Sequence, residues 1–248
     1  AALRPQFWRA PTENDLGAGL DARFGVWKSP VLKLTQFDAV TEEGVAVVTA
    51  RYEMPQVKGV LTMTYRINGA GEVSVAEQLE AGDAEAPGMF RFGMTMAMPA
   101  RYSEIVYYGR GAHENYCDRL SSADLGLYSQ KVADQYHDEY VRPQESGTKS
   151  DLRWWSVVDS SGSGLVILSE APFSASALPY ATEALDVTNF PPQQHSGPLR
   201  SGDRTYVNFD LRQMGLGCIN SWGELPEDQY MIPYGDYTFR FLLRPTVK

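Results

Sequence analysis

Ten segments of this chain alternate apolar and polar side chains with a period of two, and this pattern constrains the fold more than any other feature. Because successive side chains of a β-strand point to opposite faces, the alternation predicts strands with one face turned to a core. Glycine-rich turns at 68–71 and 160–164 predict antiparallel hairpins. The predicted strands are 45–54, 60–67, 73–79, 89–98, 102–108, 154–158, 165–168, 173–178, 206–211 and 237–243.

Helical patterns are scarce by comparison. One short helix is predicted at 182–189, and residues 1–38 show no period and are interpreted as a long ordered connector with a mobile point at 17–19. No internal repeat or linker divides the 248 residues, and 43% of them are apolar, which is enough for a sizeable core. We therefore predict an all-β fold: a single large antiparallel β-sandwich.

Composition excludes several classes of partner and site. The net charge of -9 argues against nucleic acid and anionic membranes, which attract basic surfaces. No apolar run approaches the ~20 residues of a membrane span. Two cysteines, Cys117 and Cys218, do not make a disulfide framework, and no histidines are spaced as metal ligands. The compartment stays undecided.

The densest run of motif residues lies between Tyr107 and Gly147. It begins YYGRGAHENYCDR and ends HDEYVRPQESG, a mixture that turns and strands do not by themselves require. Together with FWRAPTEND from Phe7 and GLGCINSWG from Gly215, it resembles the C-terminal small-chain domain of glycoside hydrolase family 2 β-galactosidases. The resemblance runs in order over nearly the whole chain.

The resemblance implies a β-supersandwich of the galactose mutarotase type. It implies one domain over residues 1–248, expected to be a fragment of a longer chain that lacks its first strands. Such a domain is the non-catalytic part of an enzyme that hydrolyses terminal β-D-galactosides such as lactose. The family's catalytic glutamates belong to a separate barrel, so no residue here is assigned as catalytic.

The same resemblance sets expectations for partners and cofactors. The expected partners are a galactoside substrate and the remaining β-galactosidase domains, on the same or a separate chain, with a homo-oligomer left open. No cofactor is expected in this domain, because the family's Mg and Na ions are bound mainly by other domains.

Trp222 is the first candidate binding residue. An indole in a glycine-rich loop either covers the core or offers a flat platform to the apolar C–H face of a sugar. The family's Trp at this position reaches the active site and stacks under the substrate, which favours the platform and makes Ser221 and Asn220 further substrate-binding candidates. The residues 218–220 depart from the Gly-Asp-Asp often found there.

A second group of candidates precedes a mobile loop in the resembling family. Arg9, Asn14 and Asp15 are expected to order a loop beside the active-site mouth, with Gly17 as its hinge. Hydrogen bonds that merely fix the loop, without substrate contact, explain these residues equally well.

The acidic residues of the central motif can be interpreted as catalytic or as structural. A retaining glycosidase needs two carboxyl groups roughly 5–5.5 Å apart, but a structural role in buried ion pairs with neighbouring arginines or in loop hydrogen bonds is favoured here. The pairs are expected among Glu114, Asp118 and Glu145 on one side and Arg110, Arg119 and Arg142 on the other. The residues assigned a structural role are Arg110, His113, Glu114, Asn115, Asp118, Arg119, Arg142 and Glu145.

Two rival functions stay open. A mutarotase-like sugar epimerase would use a His and a Glu as acid and base, drawn from His113 or His195 with Glu114 or Glu183. The other rival is a purely structural or oligomer-interface module.

Overall fold

The computed structural model describes residues 2–82, 85–188, 195–197 and 199–246, and twelve strands dominate that part of the chain. The strands are β1 (Arg4–Gln6), β2 (Lys33–Glu42), β3 (Val45–Met54), β4 (Gly59–Ile67), β5 (Val73–Glu80), β6 (Arg91–Pro99), β7 (Glu104–Gly111), β8 (Asp124–Lys131), β9 (Lys149–Val158), β10 (Gly164–Leu178), β11 (Arg204–Gln213) and β12 (Tyr237–Thr246).

Every predicted strand is present, and two of the predicted segments belong to a single strand. The segments 165–168 and 173–178 are the two ends of β10, whose pairing with β9 is irregular between Leu168 and Phe173. The alternation did not reveal β2, because all ten of its residues are exposed and none is selected to face a core.

Helices are short in the described residues. They are α1 (Glu13–Gly17), α2 (Leu20–Arg23) and α3 (Thr182–Leu185), with 3₁₀ turns at Gly25–Trp27, Leu120–Ser122, Val132–Asp134 and Asp228–Tyr230. None of the described helices has the length and apolar character needed to cross a membrane. The connector prediction for residues 1–38 was wrong, since that region holds β1, α1, α2 and the start of β2.

The predicted helix at 182–189 is shorter than expected. It ends at Leu185, and Ala181 occupies the N-cap position. The last residue of the prediction, Asn189, lies outside the described residues.

All strand pairs are antiparallel and form one continuous sheet. Its main path runs β1-β6-β11-β10-β12-β5-β4-β3-β2, while β9 joins β10 to β7 and β8 completes that branch. The sheet curls over itself. The rings of Phe92 on β6 and Tyr237 on β12 lie 5.3 Å apart although two strands separate them along the path. The enclosed core is rich in aromatic and methionine side chains, so the fold is the large antiparallel β-sandwich that the alternation predicts.

Buried charges connect this core to the motif residues. Arg91 on β6 is fully buried and pairs with Glu145 at 3.0 Å. Its guanidinium also lies 3.8 Å from the carboxylate of Asp210 on β11. Removing charges from water is costly unless they are paired, so this cluster fixes Glu145 relative to the sheet.

Two interior acids are separate from any surface site. Glu77 on β5 is fully buried, and its carboxyl oxygens have no hydrogen-bond partner among the described residues. Burial, reinforced by the charge of Asp210, raises the pKa of Glu77 well above its ordinary value. Burial also raises the pKa of Asp210 to about 7, against the lowering effect of Arg91. These carboxyl groups belong to the core rather than to a place that substrate reaches.

Candidate functional site

The first motif folds into the capped start of α1. The amide of Asp15 donates to the Thr12 hydroxyl at 3.1 Å, and the Asp15 carboxylate accepts from the Thr12 amide at 2.8 Å. This reciprocal pair is a capping box, which satisfies amides that a helix start leaves without partners. The Thr-Glu-Asn-Asp sequence therefore has a local structural cause.

Arg9 links that helix to the last motif. Its guanidinium donates twice to Asp15, at 3.0 and 2.7 Å, and both side chains are fully buried. The same guanidinium donates to the carbonyls of Met214 at 2.6 Å and Gly215 at 3.0 Å. Burial alone would lower the pKa of Arg9, but the Asp15 carboxylate raises it above its ordinary value. Arg9 thus fixes the beginning of residues 214–224, here called the Trp222 loop.

Asn14 holds the same loop at three further points. Its amide nitrogen donates to the carbonyls of Leu216 at 3.1 Å and Glu224 at 2.8 Å, and its oxygen accepts from the Gly223 amide at 2.6 Å. One side chain therefore closes the two ends of the loop against α1. The loop that Arg9, Asn14 and Asp15 were expected to order is the one hinged at Gly17, and that role stays a prediction; the contacts observed here are to the Trp222 loop.

The central motif anchors the loop from the other side. The Asp118 carboxylate accepts from the amides of Leu216 at 2.8 Å and Gly217 at 2.9 Å. Arg119 donates to the Gly217 carbonyl at 2.7 Å and pairs with Asp118 at 3.3 Å. All three motifs, distant in sequence, thus converge on the Trp222 loop.

Trp222 itself projects from this anchored loop. Its side chain is 67% exposed, and among the tryptophans of the described residues no other is more than half exposed. The indole nitrogen donates to the carbonyl of Glu13 at 3.1 Å. The ring lies so close to Gly17 that a Cβ there would be 2.6 Å from the ring atom Cε2. Gly17 ends α1 and supports the indole; its expected role as a hinge stays a prediction.

We expect Gly17→Ala to displace the Trp222 ring. The added methyl group overlaps the indole, and because the indole is exposed it can move at little cost to the fold. Acrylamide quenching of tryptophan fluorescence should increase, while the free energy of unfolding should change by less than about 1 kcal/mol.

Gly25→Ala is the matched control, because a Cβ at Gly25 meets no atom within 4 Å. Equal quenching in the two variants would contradict the contact between Gly17 and Trp222.

A cleft of about 280 Å³ opens beside the indole and is called the Trp222 cleft here. Its lining residues come from all three motifs: Thr12, Glu13, Asn14, Glu114, Tyr116, Arg119, Tyr140, Val141, Gln144, Glu145, Leu216, Cys218 and Trp222. A larger groove of about 350 Å³ crosses β4, β5 and β12 but contains no motif residue. We therefore place the candidate site at the Trp222 cleft, where aromatic and charged side chains meet.

The cleft acids are already held by donors. Glu114 accepts from the Tyr140 hydroxyl, from the Gly147 amide at 2.7 Å and from the Ser146 hydroxyl at 3.4 Å. Glu145 pairs with Arg91 and accepts from the Thr148 hydroxyl at 2.9 Å. Both carboxylates are therefore occupied by structural hydrogen bonds and an ion pair.

Most of the acids and arginines that were expected to pair with one another have other partners. Only Asp118 pairs with an expected arginine, Arg119. Arg110 pairs with Asp151 at 3.3 Å, and Arg142 with Glu13 at 2.7 Å. Glu114 and Glu145 do not pair with these arginines, because the fold brings Tyr140 and Arg91 to them instead, but both also make the loop hydrogen bonds that were the other expectation.

The other motif residues lie outside the cleft lining. Asn115 donates to the carbonyls of Arg110 and His113, at 3.0 and 3.1 Å, and so closes the turn after β7. Ser221 donates to Asn220 at 3.3 Å; both are exposed in the Trp222 loop.

The histidine and cysteine candidates are dispersed. His113 bonds Ser122 at 3.2 Å and Glu183 pairs with Arg4 at 2.8 Å, whereas His137 is the histidine near Glu114, at 3.8 Å. Both cysteines are free. Within the described residues, no group of three or more His, Cys, Asp or Glu is arranged to hold a metal ion.

Sequence reasoning missed part of the cleft wall. Tyr116, Val141 and Gln144 all line it, and Gln144 accepts from the Glu13 amide at 3.0 Å. The available signal was their position inside the HENYC and YVRPQE runs, where only the neighbouring residues His113, Glu114, Asn115, Arg142 and Glu145 were singled out.

The comparisons with known proteins agree with this arrangement of motifs. Residues 1–243 match the family model described as "Beta galactosidase small chain". A β-galactosidase from Priestia megaterium is 31% identical over 249 residues, covering 99% of this chain and 23% of the relative. One from Lactobacillus delbrueckii subsp. bulgaricus is 31% identical over 229 residues, covering 91% and 22%.

Among solved structures, a galactose mutarotase related enzyme from Lactobacillus acidophilus has a TM-score of 0.40 and 8% identity, covering 86% of this chain and 72% of that one. The chain spans about a quarter of the length of the curated relatives. With a family match over nearly its whole length, the chain belongs to the β-galactosidase small-chain family.

Proposed function

We propose that these 248 residues form one domain of a longer β-galactosidase of glycoside hydrolase family 2. The intact protein hydrolyses terminal β-D-galactosides such as lactose, and the catalytic glutamates lie outside this chain. The remaining domains of that enzyme, on the same or a separate chain, are its partners. The relatives support this proposal, since they are named β-galactosidases and are about four times as long as the segment matched here.

The role of this domain is to complete one wall of the galactoside site with Trp222. The observation that carries this role is the convergence of Arg9, Asn14, Asp118 and Arg119 on a loop that presents an exposed indole. Because the loop is anchored at both ends and the indole nitrogen is bonded to Glu13, the exposed ring is held in a defined position. A flat indole offers wide contact to the C–H face of a sugar with few rotatable bonds.

The neighbouring residues have supporting roles in this proposal. Asn220 and Ser221 offer amide and hydroxyl groups to sugar hydroxyls beside the indole, since both are exposed. Arg9, Asn14 and Asp15 hold the loop in place, and Gly17 permits the close approach of the indole.

The rivals have less support. An epimerase needs a free acid and base, but Glu114 is held by three donors, and neither His113 nor His195 lines the Trp222 cleft. A purely structural module does not explain why four side chains anchor a loop around an exposed tryptophan.

The test is hydrolysis of a chromogenic β-galactoside by two proteins, this 248-residue chain and the longer protein that contains it. We expect turnover by the longer protein and none by the chain, because the cleft carboxylates are occupied by structural donors. Addition of galactose to each reaction serves as a product-inhibition control for specific binding.

Turnover by the purified chain would overturn the division of roles, and Glu114, Asp118 and Glu145 would then be the first residues to replace. Absence of turnover by the longer protein would overturn the proposed function itself.

A further inference from the structure

One arginine in the core lies between two acids but is hydrogen-bonded to only one of them. Arg91 is fully buried, and its Nη2 atom donates to Glu145 at 3.0 Å. Its Nε and Nη1 atoms have no acceptor among the described residues. The Oδ1 atom of Asp210 lies 3.8 Å from Nε and is likewise buried without a donor. A donor and an acceptor therefore face each other across a gap that is too long for a hydrogen bond.

Two features of the sheet place Asp210 beside Arg91. The pairing of β11 with β6 is irregular between Asp210 and Arg212, and Asp210 lies opposite Gly93. A Cβ at Gly93 would lie 2.5 Å from the Asp210 Oδ1 atom, so the absence of a side chain there leaves the room that this carboxyl group occupies. Bulges near functional sites often redirect one side chain. The position of the Asp210 carboxyl group is thus set by the sheet itself.

The charge of Asp210 depends on pH near neutrality. Burial raises the pKa of this carboxyl group to about 7, with Arg91 lowering it and Glu145 raising it. Asp210 is therefore neutral below about pH 7 and charged above it. Glu77 remains protonated while Asp210 titrates, because burial and the charge of Asp210 raise the pKa of Glu77 well above its ordinary value.

The other groups around Asp210 do not supply a second cation. The neighbouring strand β10 places Ser174 opposite Asp210. The charged and titratable side chains linked to this cluster are Tyr65 on β4, Glu77 on β5, Arg91 on β6, and Glu145 with Arg9 and Tyr116 beside it. Arg9 is already bonded to Asp15. A charged Asp210 therefore competes with Glu145 for the guanidinium of Arg91.

Glu145 connects this competition to the Trp222 cleft. Gln144 and Glu145 both line the cleft. Besides Arg91, the Glu145 side chain is held by the Thr148 hydroxyl at 2.9 Å, and its amide donates to the Ala10 carbonyl at 3.0 Å. A charge-assisted hydrogen bond is about 2.8 Å long, so Arg91 needs to move only about 1 Å to bond Asp210. That movement leaves the Glu145 carboxylate without its ion pair.

We propose that Asp210 is a positioning residue for the Trp222 cleft that acts through Arg91. When Asp210 is neutral, Arg91 holds Glu145 and the segment 144–148 is fixed; when Asp210 is charged, Arg91 turns toward it and this wall of the cleft loosens. The inference rests on the proposed function only for the statement that a galactoside binds at the cleft. The coupling itself lies within these 248 residues.

The first test uses the 248-residue chain and hydrogen exchange followed by mass spectrometry, corrected for the intrinsic effect of pH. The reporting amides are those of Glu145 and Gly147, which are bonded to Ala10 and Glu114. We expect their protection in wild type to fall at least fivefold from pH 6 to pH 8. Asp210→Asn keeps the shape of the side chain without its charge, so its protection should stay at the pH 6 level.

Asp38→Asn is the matched control, because Asp38 is exposed on β2 and lies outside the cleft lining. It should lose protection as wild type does. Unchanged protection in wild type would overturn the coupling without any variant, and so would an equal loss in Asp210→Asn.

The second test measures KM for a nitrophenyl β-galactoside in the longer protein at the same two pH values. The ratio of KM at pH 8 to KM at pH 6 should be at least threefold larger in wild type and Asp38→Asn than in Asp210→Asn, a comparison in which other ionisations cancel. Equal ratios in all three proteins would overturn the positioning role. If the longer protein hydrolyses no galactoside but the exchange results are as expected, only the proposed function fails.

Discussion

Replacing Arg9 with methionine is expected to lower the free energy of unfolding of this chain by about 3–5 kcal/mol. Methionine keeps much of the apolar stem but leaves the Asp15 carboxylate buried without its two guanidinium bonds. The carbonyls of Met214 and Gly215 lose a donor as well. Urea unfolding followed by circular dichroism measures the loss.

The matched control is Arg66→Met. Arg66 pairs with Glu42 at 3.3 Å, but both side chains are more than half exposed, so water screens the pair and replaces it at little cost. We expect this variant to stay within about 1 kcal/mol of wild type. Similar losses in the two variants would mean that the buried pair has no special role.

A second substitution, at Asp15, tests whether the loss of stability comes from leaving that carboxylate buried without its partner. In Arg9→Met combined with Asp15→Leu, neither charge of this pair stays buried, so part of the lost stability should return. Stability below that of the single variant would instead indicate that the capping function of Asp15 dominates, since Asp15 also closes the start of α1.

In the longer β-galactosidase, Trp222→Ala is expected to lower kcat/KM for β-galactosides about tenfold. The indole is the platform proposed for the sugar, and losing a contact of about 1.4 kcal/mol corresponds to a factor of ten. Stability should change little, because the indole is 67% exposed and makes one hydrogen bond, to Glu13. Steady-state kinetics with a nitrophenyl β-galactoside and with lactose test this.

Phe37→Ala provides the control, since Phe37 on β2 is another exposed aromatic residue, at 60%, and lies outside the Trp222 cleft. Its kinetics should match wild type. Trp222→Phe should retain part of the activity, because a smaller flat ring remains. Unchanged KM and kcat in Trp222→Ala would refute the platform and favour a structural module.

The fold was predictable where side-chain alternation was strong. The segment 60–67 lies within β4, where Gly59, Leu61 and Met63 are buried and the side chains between them are less so. The same signal failed for β2, which is exposed throughout. It also did not indicate that Arg91 would be buried between Glu145 and Asp210. Alternation of side chains indicates a strand with one face in solvent, whereas the first five residues of β6 are buried on both faces of the strand.

The motifs that form the candidate site were predictable from the sequence, but the hydrogen-bond and ion-pair partners of their residues were not. The sequence by itself determined the strand-rich class and the motifs that mark Trp222, because these depend on residues close together in the chain. Only the tertiary structure decided that Asn14 bonds residues 216, 223 and 224, or that Glu145 pairs with Arg91 rather than Arg142. Those partners are separated by 54 to 210 positions, so curling of the sheet, rather than local spacing, selects which acid meets which base.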